Sequence, residues 1–279
     1  MARSPVGMRR RLGVNAVLGV LAVASVVILG GPVRPAGATG LVTSPVTARL
    51  ATPYVPEAKP AVAVAQPGPG LLPPATAGWS AIPRTDSLLV RANADPDAPV
   101  VGVFDHVNTY GDPQTFAVRA ELWGLDGRPW LRVQLPIRPN GAEGYVPADT
   151  VRVEGHDQKF VVMRSTGVLQ RFQYGELTGQ WLVTVGTPSR PTPLGTFIVW
   201  TIWNHRTSAY GAGVLALDGH SEVLGPQNWP GEARLAIHGN ARPAQLGGPG
   251  SSGCPRMLDS DIAPLLATVR LGTPVEIVA

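Results

Sequence analysis

The sequence predicts a mostly β protein: a small β-barrel, then a larger β-rich domain with one short helix near the C-terminus. Short runs rich in Val, Leu, Ile and aromatic residues recur from Leu88 onward, broken by Asp, Gly, Pro and Asn, the punctuation of strands and turns. One stretch, Ile262, Leu265, Leu266 and Val269, has the i, i+3, i+4, i+7 spacing of a buried helix face. Hydrophobic residues make up 44% of the chain and charged residues 15%, enough apolar material for a packed core.

The first 38 residues read as an export leader. Arg9, Arg10 and Arg11 form a positive start, Leu12 to Leu29 is apolar apart from Asn15 and Ser25, and Ala36-Gly37-Ala38 offers a small-residue cleavage site. Left uncleaved, the same run is close to the length that anchors a protein in a bilayer. Either outcome places the remainder outside the cytoplasm, secreted or associated with the wall or membrane. The leader also explains the net charge of +4. It holds five of the 23 basic residues and no acid, leaving 18 basic against 19 acidic residues beyond it. The charge pattern therefore excludes nucleic acid as a partner.

Residues 39–84 carry Pro45, Pro53, Pro56, Pro60, Pro67, Pro69, Pro73, Pro74 and Pro83 among Ala, Val and Thr. This composition predicts an extended, semi-rigid linker. A β-domain follows over 85–154. Its strands are Leu88–Arg91, Val100–Phe104, Glu121–Trp123, Trp130–Leu135, Gly144–Pro147 and Val151–Val153, a density that suits a small barrel. The run from Trp130 to Val153, with Asn140-Gly141 as a turn and Gly144-Tyr145-Val146 after it, resembles bacterial SH3-like domains of wall enzymes. That resemblance implies a module that packs against and positions its neighbour, or one that binds the wall itself.

The last domain, 155–279, is predicted from Phe160–Met163 and Val168–Phe172 around the turn Ser165-Thr166-Gly167, a buried strand Trp181–Val185, then Thr196–Trp200, Leu235–His238 and Val275–Val278. The single helix lies between, with Asp259 or Ser260 as its cap and Pro264 in its first turn.

The chain has one cysteine. An exported protein that used cysteine for structure would carry pairs, so Cys254 is read as a reactive thiol. A thiol becomes a nucleophile when a base takes its proton or a cation favours the thiolate. His238 ends a predicted strand 16 residues before Cys254, and Gly247, Gly248, Gly250 and Gly253 lie between them. Glycine allows the backbone to approach a substrate closely, and free N–H groups of Gly253 and Cys254 can face a developing oxyanion. Arg256 can bind a carboxylate or favour the thiolate. Ser251, Ser252 and His220 are further candidate substrate contacts, whereas His106, His156 and His205 read as ordinary histidines. Trp200, Trp203 and Tyr210 read as core or lid residues. No metal-ligand spacing and no cofactor motif is present.

His238-Gly239, a loop, and Ser251-Ser252-Gly253-Cys254-Pro255-Arg256 together resemble the signature of the L,D-transpeptidase (YkuD-type) catalytic domain. Thr192-Pro193-Leu194-Gly195-Thr196-Phe197 is similar to that family's Thr-Pro-x-Gly-x-Phe stretch, and Gly272-Thr273-Pro274-Val275 to its closing strand. The resemblance implies a cell-wall acyltransferase acting on peptidoglycan stem peptides. Cys254 would form a thioester, His238 would be the base, and the Gly239 carbonyl would orient the imidazole. A 3–3 cross-link would be the product, and carbapenem β-lactams would acylate the same thiol. Two positions depart from the family pattern: Ser252 stands where many members have His, and Pro255 where an aliphatic residue is usual. Two other readings share this pattern: an L,D-carboxypeptidase or other thiol hydrolase of stem peptides, and a wall-binding module without catalysis. Papain-like wall hydrolases place Cys before His, the reverse of the order here.

Overall fold

A computed structural model describes residues 68–279. The expected leader, its cleavage site and the linker up to residue 67 lie outside the described residues. The first sheet contains β1 (Gly78–Pro83), β2 (Ser87–Arg91), β3 (Val100–Asp105), β4 (Phe116–Trp123), β5 (Pro129–Gln134), β6 (Glu143–Pro147) and β7 (Val151–His156). Their order is β3-β2-β6-β5-β4-β1-β7, with every pairing antiparallel. Alternation drives it: in β2, Leu88 and Val90 are buried and Ser87 and Leu89 exposed. The buried faces meet in a core of Leu88, Val90, Phe116, Leu131, Val133 and Val146.

Two expectations change here. Residues 78–83, placed in the linker by the run of prolines that ends at Pro83, form β1, which buries Ser80 and Ala81 and pairs with both β4 and β7. Pro83 is tolerated because it closes the strand. The expected small barrel is not shown: β1 pairs with β4 and β7, and the hydrogen-bonded order has β3 and β7 at its two ends.

The second sheet is built from β8 (Gln158–Met163), β9 (Val168–Gln173), β10 (Glu176–Leu182), β12 (Gly195–Trp203), β13 (Val214–His220), β14 (Arg234–His238) and β16 (Pro274–Val278). The order is β10-β9-β8-β16-β12-β13-β14. A short parallel pair, β11 (Val185–Gly186) with β15 (Pro249–Ser251), lies beside it. One helix, α1 (Asp259–Leu266), packs Ile262, Leu265 and Leu266 into a core with Phe160, Phe197 and Leu215. Among the described residues, no helix is long and apolar enough to cross a membrane.

The predicted buried strand 181–185 is divided. β10 is an exposed edge strand ending at Leu182, and the buried residues are the three that follow. α1 differs from its predicted start. Its N-cap is Leu258, without a side-chain cap, and Pro264 falls in the second turn of eight residues. There it removes the N–H that would bond the Ser260 carbonyl. β13 was not predicted, because Asp218 interrupts Val214-Leu215-Ala216-Leu217. All seven of its residues are nevertheless buried. Asp218 is accommodated by the Ile198 N–H at 2.9 Å and by Gln134 Nε2, from β5, at 2.8 Å. Burial still raises its carboxyl to about 6.

The two sheets belong to one compact unit. Ser80 Oγ and His156 Nε2 hydrogen-bond at 2.8 Å. Gly272, at φ +84°, comes so close that a Cβ there would lie 2.3 Å from Ser80 Oγ.

Candidate active site

His238 is the last residue of β14. The segment after Cys254 is laced beside it. The Arg256 N–H donates to Thr184 O at 2.8 Å, and Arg256 O accepts from the Thr184 N–H at 2.9 Å. On the other side the His238 N–H donates to Pro255 O at 3.2 Å, and the Met257 N–H to His238 O at 2.8 Å. This ladder brings Cys254 to the end of β14. It also explains why Pro255 is tolerated: the ladder uses its carbonyl and not the N–H that proline lacks.

Cys254 and His238 line one cavity of about 350 Å³, together with Tyr210, Trp203, Arg234 and Arg256. Cys254 Sγ is 3.9 Å from Arg234 O, and the thiol is half-buried. Burial pushes its pKa up, against the Ala236 backbone N–H and the Arg256 charge, which favour the thiolate. His238 is 4% exposed. Burial, then the positive charge of Arg256, lowers its pKa to about 4, while the Gly239 carbonyl and Asp259 oppose that shift. At neutral pH both groups are therefore uncharged.

His238 Nδ1 lies 2.8 Å from Gly239 O. A carbonyl only accepts, so the neutral ring carries its proton on Nδ1 and presents Nε2 as a base. Asp259 fixes the Gly239 turn. Its Oδ1 accepts from the Asn240 and Ala212 N–H groups, each at 2.9 Å, and its Oδ2 from Arg206 Nη1 at 2.5 Å. Only glycine fits at 239, since a Cβ would sit 2.2 Å from Asp259 Oδ1. Asn240, at φ 69°, reaches back to the Ser208 and Ala209 carbonyls at 3.1 and 3.2 Å. That contact holds Tyr210 edge-on to the imidazole, with ring centres 5.1 Å apart.

The predicted residues divide. Ser252, Gly253, Cys254, Arg256 and His238 line the cavity, and the Gly239 carbonyl accepts from the His238 imidazole. Ser251 is buried behind the loop, where its Oγ accepts the Gly253 N–H at 3.1 Å. That N–H is thereby engaged and is not a free oxyanion donor. The Cys254 N–H has no protein acceptor among the described residues. His220 is buried outside the cavity wall, with Nδ1 unpartnered; its neighbour Ser221 is the residue that reaches the cavity. Trp203 and Tyr210 line the cavity, while Trp200 is buried under the Arg234 guanidinium, 3.9 Å from its ring centre. Sequence reasoning missed Asp259 as a clamp, because an acid at a helix start reads as a cap. It also missed Arg234, a single charge entering a strand, and Tyr110, which lies in the loop between β3 and β4.

Residues 157–277 match the model of the YkuD family, the L,D-transpeptidase catalytic domain. This segment is an L,D-transpeptidase catalytic domain. The match spans the second sheet and its site, under half of the chain. No curated protein matches the chain by sequence. Among solved structures, the chain is similar to an L,D-transpeptidase from Mycobacterium smegmatis at 15% identity, covering 54% of this chain and 90% of that one, with a TM-score of 0.36. It is also similar to a cysteine-to-serine mutant of an Enterococcus faecium L,D-transpeptidase at 23% identity, covering 45% and 55%, TM-score 0.33. A third likeness is to an L,D-transpeptidase from Mycobacterium tuberculosis H37Rv at 14% identity, covering 58% and 92%, TM-score 0.38. At such scores these likenesses add nothing to the family match. The chain thus spans about half the length of the Enterococcus enzyme.

Proposed function

We propose that the protein is an exported peptidoglycan L,D-transpeptidase that forms 3–3 cross-links. The observation that supports this best is the shared cavity: the thiol of Cys254 and the buried imidazole of His238 face one space, and the Gly239 carbonyl leaves Nε2 free to accept a proton.

The donor is a stem tetrapeptide, entering with the carbonyl between its third residue and the terminal D-Ala at Cys254. As sulfur attacks, its proton passes to His238 Nε2 and a tetrahedral oxyanion forms near the Cys254 N–H. The C–N bond then breaks, D-Ala leaves as the amine with the proton from the imidazole, and a thioester remains. A side-chain amine of a second stem attacks the thioester. His238 takes the amine proton and returns it to the departing sulfur, restoring the thiol. One amide is exchanged for another, so the reaction needs no cofactor. Arg256 is placed to hold a carboxylate, and Ser252 forms part of the wall. A carbapenem presents a strained acyl carbon to the same thiol and should trap it. The leader delivers the enzyme to the wall. The first sheet then serves as an SH3-like module that positions the catalytic domain.

The test is intact-mass spectrometry of the full chain and of Cys254→Ala, each with a carbapenem and then with a disaccharide-tetrapeptide. An adduct on the wild type alone, loss of D-Ala and a cross-linked dimer are expected. D-Ala loss without dimer assigns the domain to stem-peptide hydrolysis. A folded wild type with neither adduct nor D-Ala loss overturns the enzymatic reading and leaves a wall-binding module.

A further inference from the structure

The first sheet reaches the catalytic cavity at two points. One is the loop joining β5 to β6. There Arg138 donates to three carbonyls of the segment between β13 and β14: Ser221 O, Leu224 O at 2.9 Å and Glu232 O at 3.0 Å. Asn140, from the same loop, brackets the His220 backbone, accepting its N–H and donating to its carbonyl, each at 2.8 Å. The segment thus held, residues 221–233, forms a wall of the cavity through Ser221, Leu224 and Trp229–Ala233. Its base is closed by the Ser221 N–H on Ala233 O at 2.9 Å. Ala233 lies at φ 52°, a conformation that a residue with a Cβ keeps only when its surroundings impose it. The Glu232 carbonyl held by Arg138 is the neighbouring constraint.

The other point is the loop between β3 and β4. Asn108 is 7% exposed and donates to Trp200 O and Thr201 Oγ1, both at 3.0 Å. Asp112 Oδ2 accepts the Ile202 N–H at 3.2 Å. Fixed between them, Tyr110 lines the cavity, its ring edge-on to Trp203 with centres 5.3 Å apart.

We infer that the first sheet completes the donor-peptide cavity: Arg138 is a positioning residue that sets the 221–233 wall, and Tyr110 is a specificity residue in direct contact with the bound peptide. This rests on the transpeptidase reading above. Neither residue touches the thiol or the imidazole, so both should govern how the peptide is held and leave the chemistry of the pair unchanged. A loss confined to binding raises KM and spares kcat.

The experiment uses the full chain as wild type, Arg138→Met, Arg138→Lys and Tyr110→Ala. It measures D-Ala release from a disaccharide-tetrapeptide, alkylation of Cys254 by iodoacetamide, which is too small to need the wall, and hydrogen exchange across 221–233. Arg138→Met should raise KM by about tenfold, the loss of about 1.4 kcal/mol of uniform binding. Its kcat and alkylation rate should stay within about threefold, and exchange in 221–233 should accelerate. Arg138→Lys should recover part of KM, because an ammonium reaches fewer of the three carbonyls than the guanidinium fork does. Tyr110→Ala should raise KM without changing exchange in 221–233. Unchanged KM and exchange in Arg138→Met, or equal losses of kcat and alkylation, overturn the positioning role. Unchanged KM in Tyr110→Ala overturns the contact. A wild type that alkylates but releases no D-Ala and forms no carbapenem adduct refutes the transpeptidase reading instead, and the exchange arm still decides whether Arg138 holds the wall.

Discussion

Asp259 is the residue whose replacement most directly tests how the base is held. Its carboxylate fastens two strands of chain at once, through the Ala212 and Asn240 N–H groups at 2.9 Å each, and carries an ion pair to Arg206 at 2.5 Å. Partial burial works against its charge, but those N–H groups and Arg206 outweigh it and hold the carboxyl below its ordinary range. A hydrogen bond to a charged group contributes about 1.5–3 kcal/mol. The Asp259 side chain is 32% exposed, so water can satisfy part of what is lost and the Arg206 pair adds little. Asp259→Ala should therefore cost about 3 kcal/mol, and Asp259→Asn, which keeps Oδ1 as an acceptor, about 1 kcal/mol. In a domain of this size that corresponds to a fall in Tm of roughly 6–12 °C for alanine and 2–4 °C for asparagine. The Gly239 carbonyl that sets the imidazole rides on the same turn. A shift of about 1 Å there should slow acylation by about 100-fold in the alanine variant. Thermal unfolding followed by circular dichroism and stopped-flow acylation by a carbapenem measure the two effects. An alanine variant within about 1 kcal/mol and threefold of wild type would refute the claim that Asp259 places the base.

The buried histidines give a pH signature. Burial lowers His156 to about 4, His220 to about 3 and His238 to about 4, all below the ordinary value near 6.5. The unfolded chain binds these protons first, so stability is full above pH 6.5 and is lost as pH falls toward 4. Asp218, raised to about 6, acts in the opposite direction between about 6 and 4, and three groups should prevail over one; urea midpoints at pH 7.5, 6 and 5 that rise on acidification would contradict this. Gly272→Ala should lose about 1–3 kcal/mol, because φ is +84° and the new methyl meets Ser80 and His156; calorimetry checks it. Pro255→Ala should acylate within about threefold of wild type, since the carbonyl that receives the His238 N–H is retained; a loss above about tenfold would show that the ring itself shapes the loop.

The motif residues that line the cavity were more legible in the sequence than its surroundings. Cys254, His238 and Gly239 stand in two short motifs that can be read along the chain, whereas the ladder that brings them together runs through Thr184, far from both in sequence. The strands built on unbroken apolar runs, such as Leu88–Arg91 and Phe160–Met163, were plain in the sequence. Where polar residues are buried by partners far away in sequence, the pattern failed. β13 was hidden by Asp218, whose partners Ile198 and Gln134 lie 20 and 84 residues off. β1 was hidden by the prolines before it, though its edges match β4 and β7. Ser251 and His220 are near the nucleophile or the cavity in sequence but face away from it, a matter of side-chain direction. Tyr110 and Arg138 carry no local signal at all, because their meaning depends on how one sheet docks against the other.

The environment of the pair also limits how it can be activated. Moving the thiol proton to the imidazole creates a thiolate and an imidazolium together. Arg256 favours the first and disfavours the second, so its charge helps one partner of the transfer and hinders the other. The other groups are divided between the two partners: the Ala236 N–H assists sulfur, while the Gly239 carbonyl and Asp259 assist the ring. Burial opposes both ions at once. A resting thiolate–imidazolium pair is therefore disfavoured; in the reaction proposed above, the proton moves as sulfur engages an acyl carbon and its charge passes to the oxyanion. At that stage no thiolate remains, so the imidazolium depends on Gly239 and Asp259 and on no partner sulfur. The turn clamped by Asp259 is thus the part of the site that assists the imidazolium, whereas Arg256 opposes it.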